Sequence, residues 1–537
     1  TAPASPRART IGAVVVAEPA LSSLGAQRDL ARPLAGRNAL ARTVERLTGC
    51  SALMGTPVTV LTDDPERIRA MLPPNAPLRL HAAPSGSLGA HFRGGRAARA
   101  WASACWRGGL GGATVYDELV QPALLAPALR ALGLDAALVV GGDWALVDPA
   151  LCDRVVERWR ESPDASPVVF SQAPPGLAGA VVSAAMISDL AQGRAAGDPF
   201  ASIGGVLGYN PLRPRTDPIA SSACVQLEAP VRQCAQRFVP DSPERRAVIE
   251  SVLATGAADA RTIVRAADTL ASERAALAPE ELILDLTERR TGDERGDARD
   301  TPTDLAIRVV RAAGALNPAL VLSLGSGAGD PLLHEGVFDI IAEALGAGLP
   351  VHVRTELLCA PETVERLASS GAEVVSIDLH AGSRATYHAI RGLDAHDRAM
   401  DNTARLLRAR RTDLGVPRPF VVPRLLKRDA VYSEVEGFID RAFVVCGWGV
   451  LDQLPAPERA ERLEPLGKAR EAARRDWRAR LRVSASGAVL ADERNPARAI
   501  ADLREGSVPD AWRVLAAHRL NAVRSGGDQH PDLWTGW

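Results

Sequence analysis

The chain has 537 residues, of which 46% are apolar, 24% charged and 4% aromatic, and its 63 basic and 64 acidic side chains nearly cancel. This balance excludes a protein built mainly to hold nucleic acid or an anionic membrane, and the few aromatics argue against a base-stacking surface. No apolar run is long enough to cross a bilayer. The seven cysteines show no CxxC or CxxxC spacing, and their odd number without a signal sequence indicates a reducing cytoplasm.

In the first half of the chain, strand-like runs alternate with amphipathic helical segments. Strands are predicted at 12–18, 57–64 and 135–143, and a helix at 39–47. Asp148 followed by Pro149 is typical of a helix start, with the aspartate as N-cap. The alternation predicts a largely parallel sheet with helices on both faces.

A helical linker at 261–280 precedes a second alternation of strands and helices. Its predicted strands are 282–286, 320–324, 350–354, 373–379, 419–423 and 442–450. Its predicted helices are 302–315, 337–345, 361–369, 398–411 and 432–441. Six such units in a row predict a partial (β/α)6 TIM-type barrel, with function at the carboxyl ends of the strands.

Several ordered motifs in the second half carry a family resemblance. "AGDPLLH" (328–334) is similar to the Gly-Gly-Glu-Pro-type turn of radical S-adenosylmethionine (SAM) enzymes, and "IDLHAGSRATYHAIRG" (377–392) to their fourth strand and the stretch after it. Residues 418–451 resemble strands five and six of the spiro-SPASM type, which has a nucleotidyltransferase-like N-terminal domain, and 481–512 have the outline of a SPASM tail.

The resemblance implies a layout for the whole chain. The first ten residues are expected to be a disordered tail. A glycosyltransferase-A/Rossmann-like parallel sheet domain, nucleotidyltransferase-like, follows at 11–260, and the linker helix at 261–280 joins it to the partial barrel at 281–456. A helix and a degenerate SPASM-like tail then form a small irregular C-terminal domain at 457–537.

The cysteines that the resemblance requires are missing. The family holds a [4Fe–4S] cluster with CxxxCxxC spacing after the first strand, and on "RTGDERGD" this spacing places Arg290, Glu294 and Asp297 at the ligand positions. An arginine does not ligate iron, and carboxylates replace thiolates poorly. We therefore expect no iron–sulfur cluster and no radical cleavage of SAM.

The resemblance also implies a pocket for SAM itself. Gly329 and Asp330 would meet the amino group of the methionine part, and Ser376 and Asp378 would meet the ribose and the carboxylate. The alternative interpretation is that Asp330 and Asp378 only cap a helix and a turn. This alternative carries more weight, because the cluster that orients SAM is missing.

The first half offers a second candidate site. "AGRNAL" resembles the "AGKPLL" helix start of nucleotidyltransferases, with Arg37 in the lysine position and Arg28 and Arg32 in the preceding loop, where guanidinium groups would hold nucleotide phosphates. Asp143 in "LVVGGDW" takes the position of the carboxylate that binds Mg²⁺. The alternative interpretation makes the arginines solvated surface charges and Asp143 a turn residue.

Two hypotheses follow for the cytoplasmic protein that the sequence predicts. In the first, the chain is a pseudoenzyme whose barrel binds a small molecule or a protein partner, or acts as a scaffold. In the second, the N-terminal domain is a Mg²⁺-dependent nucleotidyltransferase or nucleotide-sugar enzyme. Departures from the family pattern at both sites favour the first hypothesis, and neither hypothesis involves nucleic acid or a membrane.

Overall fold

The computed structural model describes residues 9–74, 77–94, 96, 114–193, 203, 206–207, 221–293, 296–413, 416–426, 428–447, 449–452, 477–491 and 498–525. These residues form a mixed α/β protein with two sheets that are rich in parallel strands. Apart from a few residues, they divide into two compact units, one up to Leu270 and one from Ala271 onward. Within the described ranges, no helix is both long enough and apolar enough to span a membrane.

The first unit contains one seven-stranded sheet and the helices that cover it. Its strands are β1 (Ile11–Val16), β2 (Val58–Thr62), β3 (Leu78–Ala82), β4 (Ala136–Gly141), β5 (Val168–Ser171), β6 (Ala180–Ser183) and β7 (Cys224–Val225). Its helices are α1 (Ala39–Thr48), α2 (Pro65–Met71), α3 (Ser87–Arg93), α4 (Pro122–Leu132), α5 (Pro149–Glu161), α6 (Ala184–Gly193), α7 (Ala229–Gln233), α8 (Pro243–Ala254) and α9 (Ala260–Glu273).

The strand order of this sheet is β3-β2-β1-β4-β6-β5-β7. The first four strands are parallel, and β1 and β4 are fully buried apolar runs, as expected for strands covered on both faces. β6 runs antiparallel to β4 and β5, so the sheet is less uniformly parallel than predicted. The predicted start of α5 is confirmed, because the Asp148 side chain accepts hydrogen bonds from the amides of Ala150 and Leu151.

The second unit contains a nine-stranded sheet and a separate hairpin. The strands of the sheet are β8 (Glu281–Leu284), β9 (Val321–Leu324), β10 (Val351–Thr355), β11 (Val374–Asp378), β14 (Phe420–Leu426), β15 (Val450–Asp452), β16 (Arg480–Val483), β17 (Ala488–Leu490) and β18 (Ala499–Asp502). The hairpin is β12 (Arg411–Asp413) and β13 (Val416–Arg418). The helices are α10 (Thr303–Leu316), α11 (Val337–Gly346), α12 (Pro361–Ser369), α13 (Arg384–Arg391), α14 (His396–Ala409), α15 (Val435–Cys446) and α16 (Val508–Arg524).

The large sheet has the order β15-β14-β11-β10-β9-β8-β16-β17-β18, and β15 to β16 in this order are parallel neighbours. The six strands from β8 to β15 carry the β/α alternation expected of a partial barrel. Their carboxyl ends lie at one edge, so the loops after them are close together. We call this edge the mouth of the barrel sheet.

The structure differs from the sequence predictions at two places in this unit. The strand predicted at 442–450 is wrong, because α15 runs to Cys446 and β15 begins only at Val450. A short apolar run does not distinguish a strand from a helix end, and here Val444 and Val445 are exposed helix residues. The described part of the C-terminal region is also regular, since β16 extends the barrel sheet beside β8 and α16 follows the β17–β18 hairpin.

Candidate functional site

Three carboxylates follow the parallel strands of the first unit. Glu18 follows β1, Asp63 follows β2 and Asp143 follows β4, so all lie at the carboxyl edge of the sheet. The Glu18 carboxylate accepts hydrogen bonds from the amides of Ala20 (2.8 Å) and Leu21. Burial raises the pKa of Glu18 above its ordinary value in spite of these bonds. The edge therefore has the residue types of a cation site.

Arg28 is bound to Asp143, the residue that the sequence predicts to hold Mg²⁺. Its guanidinium forms an ion pair with the Asp143 carboxylate, which is 2% exposed. The same side chain donates from Nε to the Leu21 carbonyl (3.0 Å) and from Nη2 to the Glu18 carbonyl (3.3 Å). The structure thus brings together two residues that the sequence predicted for different tasks, the phosphate contact and the Mg²⁺ ligand.

The other two predicted phosphate contacts do not join this pair. Arg32 is exposed, and the partly exposed Arg37 pairs with Glu45. Ser23, in the same loop, donates to the buried Glu118 carboxylate (2.7 Å). These contacts hold the loop to its own unit, and the phosphate role of the three arginines stays a prediction.

The fit of this edge to a divalent cation is poor in the arrangement seen. A Mg²⁺ site needs several oxygen ligands, and a guanidinium repels the ion. The Asp143 carboxylate forms an ion pair with Arg28, and the Glu18 carboxylate accepts hydrogen bonds from two backbone amides. In the described ranges, no group of three His, Cys, Asp or Glu side chains could hold a metal ion.

The barrel sheet carries charged side chains where a closed barrel would carry branched apolar ones. On β10, Val351 and Val353 join the core under the helices, whereas His352 and Arg354 alternate with them and contact neighbouring strands. This two-residue period is the alternation of a strand, and here it separates an apolar face from a polar one. The polar face is the candidate site of the second unit.

A hydrogen-bond chain crosses the polar face from Glu281 to Ser376. The Ser323 hydroxyl donates to Glu281 (2.7 Å), His352 Nδ1 lies 3.1 Å from the same hydroxyl oxygen, and His352 Nε2 lies 2.8 Å from the Ser376 hydroxyl. The Glu281 carboxylate can only accept, so the Ser323 hydroxyl uses its proton there and accepts from His352 Nδ1–H. Nε2 of the same ring then has no proton and accepts a hydrogen bond from the Ser376 hydroxyl. Burial, with the charges of Arg424 and Arg354, lowers the pKa of His352 well below its ordinary value, so the ring is neutral.

Asp378 lies between two buried arginines. Its carboxylate pairs with Arg354 at 2.8 Å and with Arg424 at 3.4 Å. Burial alone would raise the pKa of Asp378, but the two guanidinium charges lower it. Burial and repulsion from Arg354 lower the pKa of Arg424 to about 9. Both residues that the resemblance assigned to SAM here, Ser376 and Asp378, are thus engaged by neighbouring strands, and their ligand role stays a prediction.

Asp330 is buried and accepts hydrogen bonds from three donors at the start of a short 3-10 helix (Pro331–Leu333). Its oxygens receive the amides of Leu332 (3.0 Å) and Glu356 (3.1 Å) and, on both atoms, the Thr355 hydroxyl (2.9 and 2.8 Å). Burial nevertheless raises its pKa to about 6. This is the capping geometry of the alternative interpretation, and it leaves the proposed contact with an amino group untested.

Gly329 is packed against the loop that follows β8. A Cβ at this position would lie 2.0 Å from the Thr287 carbonyl oxygen, and the Asp330 amide donates to the Arg289 carbonyl (2.9 Å). The Gly-Asp-Pro turn therefore has backbone contact with the loop that carries the predicted cluster positions. Only glycine fits this approach.

The described cluster positions do not fit an iron–sulfur cluster. Arg290 donates from Nε to the Ala328 carbonyl (3.2 Å) and lies 3.7 Å from the Glu356 carboxylate, whereas Asp297 is exposed and Glu294 lies outside the described residues. Guanidinium groups have no lone pair for iron. Burial also raises the pKa of the Cys359 and Cys446 thiols to about 12 and about 11, so neither offers a thiolate.

Sequence reasoning missed four residues at the barrel mouth. Glu356 follows β10 and His380 follows β11, while Tyr387 and Arg391 lie on α13. Glu356 accepts from Arg391 (2.8 Å) and lies 3.1 Å from His380 Nε2. The signal was present in "VHVRTE" and "SIDLH", where polar residues recur at every second position of a parallel strand that should be apolar throughout.

No protein-family model and no curated protein matches the sequence. Among solved structures, SuiB from Streptococcus suis bound to the precursor peptide SuiA is 12% identical, with 49% of this chain and 71% of that chain covered and a TM-score of 0.39. A cytidylyltransferase from Leptospira borgpetersenii is also 12% identical, with coverage of 49% and 95% and a TM-score of 0.34. The protein anSMEcpe with bound AdoMet and a Cp18Cys peptide is 9% identical, with coverage of 45% and 83% and a TM-score of 0.33.

The structural neighbours thus include radical SAM enzymes and a cytidylyltransferase. At these identities and TM-scores, the likeness assigns neither a ligand nor a reaction to this chain.

Proposed function

We propose that this protein is a pseudoenzyme with a binding or scaffolding role, in which a radical SAM-like barrel works without an iron–sulfur cluster. The proposal is supported by a contact of Arg290, the residue at the first cluster position. Its guanidinium donates to the Ala328 carbonyl (3.2 Å) beside the Gly-Asp-Pro turn. A cation there also lies 3.7 Å from the Glu356 carboxylate. The position has thereby become part of an internal polar network.

The test is anaerobic reconstitution of the full chain with iron and sulfide, followed by metal analysis and an assay for reductive cleavage of SAM. We expect neither a stoichiometric cluster nor cleavage, because Arg290 supplies no ligand. A cluster with SAM cleavage in the unmodified chain would contradict the proposal.

A designed variant provides the positive control for this test. Replacing Arg290, Glu294 and Asp297 together by cysteine restores the CxxxCxxC spacing, and we expect this variant to bind more iron than the unmodified chain. The matched triple serine variant removes the same charges without supplying thiolates, so iron binding by the serine variant would indicate non-specific uptake.

A second candidate function is a Mg²⁺-dependent nucleotidyltransferase or nucleotide-sugar enzyme in the first unit. The placement of Glu18, Asp63 and Asp143 at one sheet edge favours it, whereas the Arg28–Asp143 ion pair opposes it. A thermal-shift panel of nucleoside triphosphates, nucleotide sugars and SAM, with and without Mg²⁺, separates the cases. A Mg²⁺-dependent shift that Asp143→Ala abolishes would favour the transferase.

The same panel tests the SAM pocket. A shift with SAM alone, lost in Asp378→Asn or Asp330→Asn variants that remain folded, would mean that the barrel has kept a SAM site without radical chemistry. If no compound shifts the unfolding temperature, the result would favour a binding role toward another protein.

A further inference from the structure

Two cysteines from distant parts of the sequence lie side by side in the first unit. Cys50 follows α1 and comes immediately before a short 3-10 helix (Ser51–Leu53), and Cys152 lies in the first turn of α5. Both are free thiols, with exposed fractions of 1% and 0%. The Cys50 thiol donates to the Pro149 carbonyl (3.7 Å), one helical turn before Cys152, and the Cys152 thiol is hydrogen-bonded to that of Cys50. The two sulfur atoms are therefore neighbours.

Contacts on both sides of Cys50 hold this arrangement. The Ser51 amide (3.0 Å) and hydroxyl (2.7 Å) donate to one oxygen of the Asp153 carboxylate, and the Ala52 amide donates to the other oxygen (2.8 Å). On the other side, a Cβ at Gly49 would lie 3.8 Å from the Pro149 ring. The fold therefore brings the two thiols together without any covalent bond between them.

A disulfide forms without backbone movement only between cysteines that the fold already places together. The two Cα atoms of a disulfide are usually within about 7 Å, and the Cβ atoms must point toward each other. Groups held in contact by a fold also react as if at high concentration, which favours a bond within the pair over bonds to other thiols. Cys50 and Cys152 have the neighbouring thiols that such a bond needs.

Folding changes the reactivity of these thiols. The hydrogen bond with Cys50, together with burial, raises the pKa of the Cys152 thiol well above its ordinary value. Thiol–disulfide exchange requires a thiolate and an approach path for the second reactant, so the folded chain should exchange slowly. In the unfolded chain both thiols are open to solvent, with ordinary pKa values of about 8.5. Exchange should therefore occur while the chain folds.

We propose that Cys50 and Cys152 form a disulfide site whose redox state is set while the chain folds and is then preserved by burial. A chain that folds in a reducing medium keeps two thiols, and a chain that folds in an oxidising medium has a disulfide that joins the end of α1 to the start of α5. This inference goes beyond the binding function proposed above and does not rest on it.

The reaction needs an oxidant of the small-molecule disulfide class, such as oxidised glutathione. One cysteine thiolate attacks a glutathione sulfur, so the glutathione S–S bond breaks and one glutathione thiolate leaves. The second cysteine thiolate then attacks the cysteine sulfur of the mixed disulfide, and the other glutathione thiolate leaves. In total, the protein loses two protons and two electrons, and the glutathione disulfide becomes two glutathione thiols.

The test is cell-free synthesis of the full chain in two buffers, one with reduced and one with oxidised glutathione. Alkylation of the unfolded products with N-ethylmaleimide, followed by mass spectrometry, counts the thiols that remain. We expect alkylation of all seven cysteines in the first product and of two fewer in the second. Digestion of the second product should release a peptide pair that joins Cys50 to Cys152, and the circular dichroism of the two products should agree.

Burial predicts how the products respond when the folded chains are moved to the opposite buffer. Each should change its redox state at least about tenfold more slowly than the same chain in urea, because exchange must wait for the first unit to open. The disulfide product should also have a higher midpoint of thermal unfolding, since the crosslink restrains a loop of about 100 residues in the unfolded state.

Serine variants show whether this pair causes the difference in stability. Cys50→Ser and Cys152→Ser should each remove the rise in the unfolding midpoint between the two products. Cys234→Ser is the matched control and should keep it, because Cys234 lies in the same unit and burial is the main cause that raises its pKa to about 12. If other cysteines also crosslink, the pair is examined alone in a variant with serine at the remaining positions: Cys105, Cys224, Cys234, Cys359 and Cys446.

Three results would overturn the proposal. The first is a folded product, made with oxidised glutathione, in which Cys50 and Cys152 are still thiols. The second is a disulfide that is reduced as fast in the folded chain as in urea. The third is a lower unfolding midpoint or an altered circular dichroism spectrum in the disulfide product, which would mean that the bond distorts the fold and that the two thiols only pack together.

Discussion

The Arg28–Asp143 pair of the first unit and the polar face of the barrel sheet are both places where an arginine stands near a predicted cofactor position, yet they differ in extent. In the first unit, one guanidinium covers one carboxylate, and its other bonds go to backbone carbonyls. In the barrel, Asp378 shares two arginines from different strands. The first replacement is local, whereas the second is distributed through the interior.

The two arrangements should respond differently to mutation. In the local pair, removal of Arg28 leaves one unpaired charge, the carboxylate of Asp143, whose side chain is 3% exposed. A distributed buried network cannot lose a member without leaving charges unpaired in a medium of low dielectric constant. Stability measurements on matched variants test this distinction.

The largest effect is expected for Asp378→Asn. The change removes the negative charge shared by Arg354 and Arg424 and leaves two buried guanidinium groups facing each other. Breaking a buried ion pair in this way costs roughly 3–5 kcal/mol of the free energy of unfolding. Urea denaturation monitored by circular dichroism would measure the loss.

Asp394→Asn is the matched control, because Asp394 pairs with Arg384 at 2.7 Å and both side chains are 61% exposed. An exposed pair is worth about 0–1 kcal/mol. Equal losses in the two variants would contradict the view that the barrel charges act as a buried network.

Asp330 should make the stability of the barrel unit depend on pH. Its pKa is raised from 3.8 to about 6 by burial, so the folded state binds a proton that the unfolded state has lost between these values. Stability is therefore highest below the unfolded pKa and falls as pH rises through 6, by about 3 kcal/mol at 1.36 kcal/mol per pKa unit.

The measurement is the free energy of unfolding between pH 4 and 7 for the unmodified chain and for Asp330→Asn. Asparagine can still accept the Leu332 amide and does not titrate in this range, so the difference between the two curves isolates the carboxyl. A difference that stays constant across the range, or that changes in the opposite direction, would refute the assignment.

Gly329→Ala should disrupt the contact between the Gly-Asp-Pro turn and the β8 loop. The new Cβ would lie 2.0 Å from the Thr287 carbonyl, so the backbone must move, at a cost of roughly 1–3 kcal/mol. Gly346→Ala is the control, because a Cβ there meets nothing within 4 Å at the end of α11. Thermal unfolding of both variants separates overpacking from a general effect of alanine, and an unchanged midpoint in Gly329→Ala would contradict the packing.

Much of the fold could be predicted because periodicity and capping are local. The apolar runs of β1 and β4 and the Asp148 cap follow from short stretches of sequence. The pairing of β16 with β8 could not, since it joins residues about 200 positions apart through register alone. The end of α15 could not be predicted either, because its exposed valines have the composition of a strand.

Sequence resemblance identified candidate residues but not their partners. Arg28 and Asp143 were assigned to separate ligands, and only the fold shows that they satisfy each other. Glu356 and His380 were not recognised because their chemistry depends on two loops meeting at the mouth. A resemblance carries over the positions of a family's ligands, whereas replacements create contacts that the family does not have.

The smallest expected effect is a gain rather than a loss, and it tests whether the local replacement in the first unit is reversible. Arg28→Ala removes the guanidinium from Asp143 and leaves a buried carboxylate near Glu18, which should favour a divalent cation. Mg²⁺ at about ten times its dissociation constant would then stabilise the variant by about 1.4 kcal/mol, from RT ln(1 + [L]/Kd). The midpoint of thermal unfolding, followed with increasing Mg²⁺, measures this stabilisation. Arg37→Ala is the control, and the gain must vanish in the double variant Arg28→Ala/Asp143→Asn. If Mg²⁺ stabilises the unmodified chain equally, the arginine does not block the site, and the transferase hypothesis gains the advantage over the binding protein.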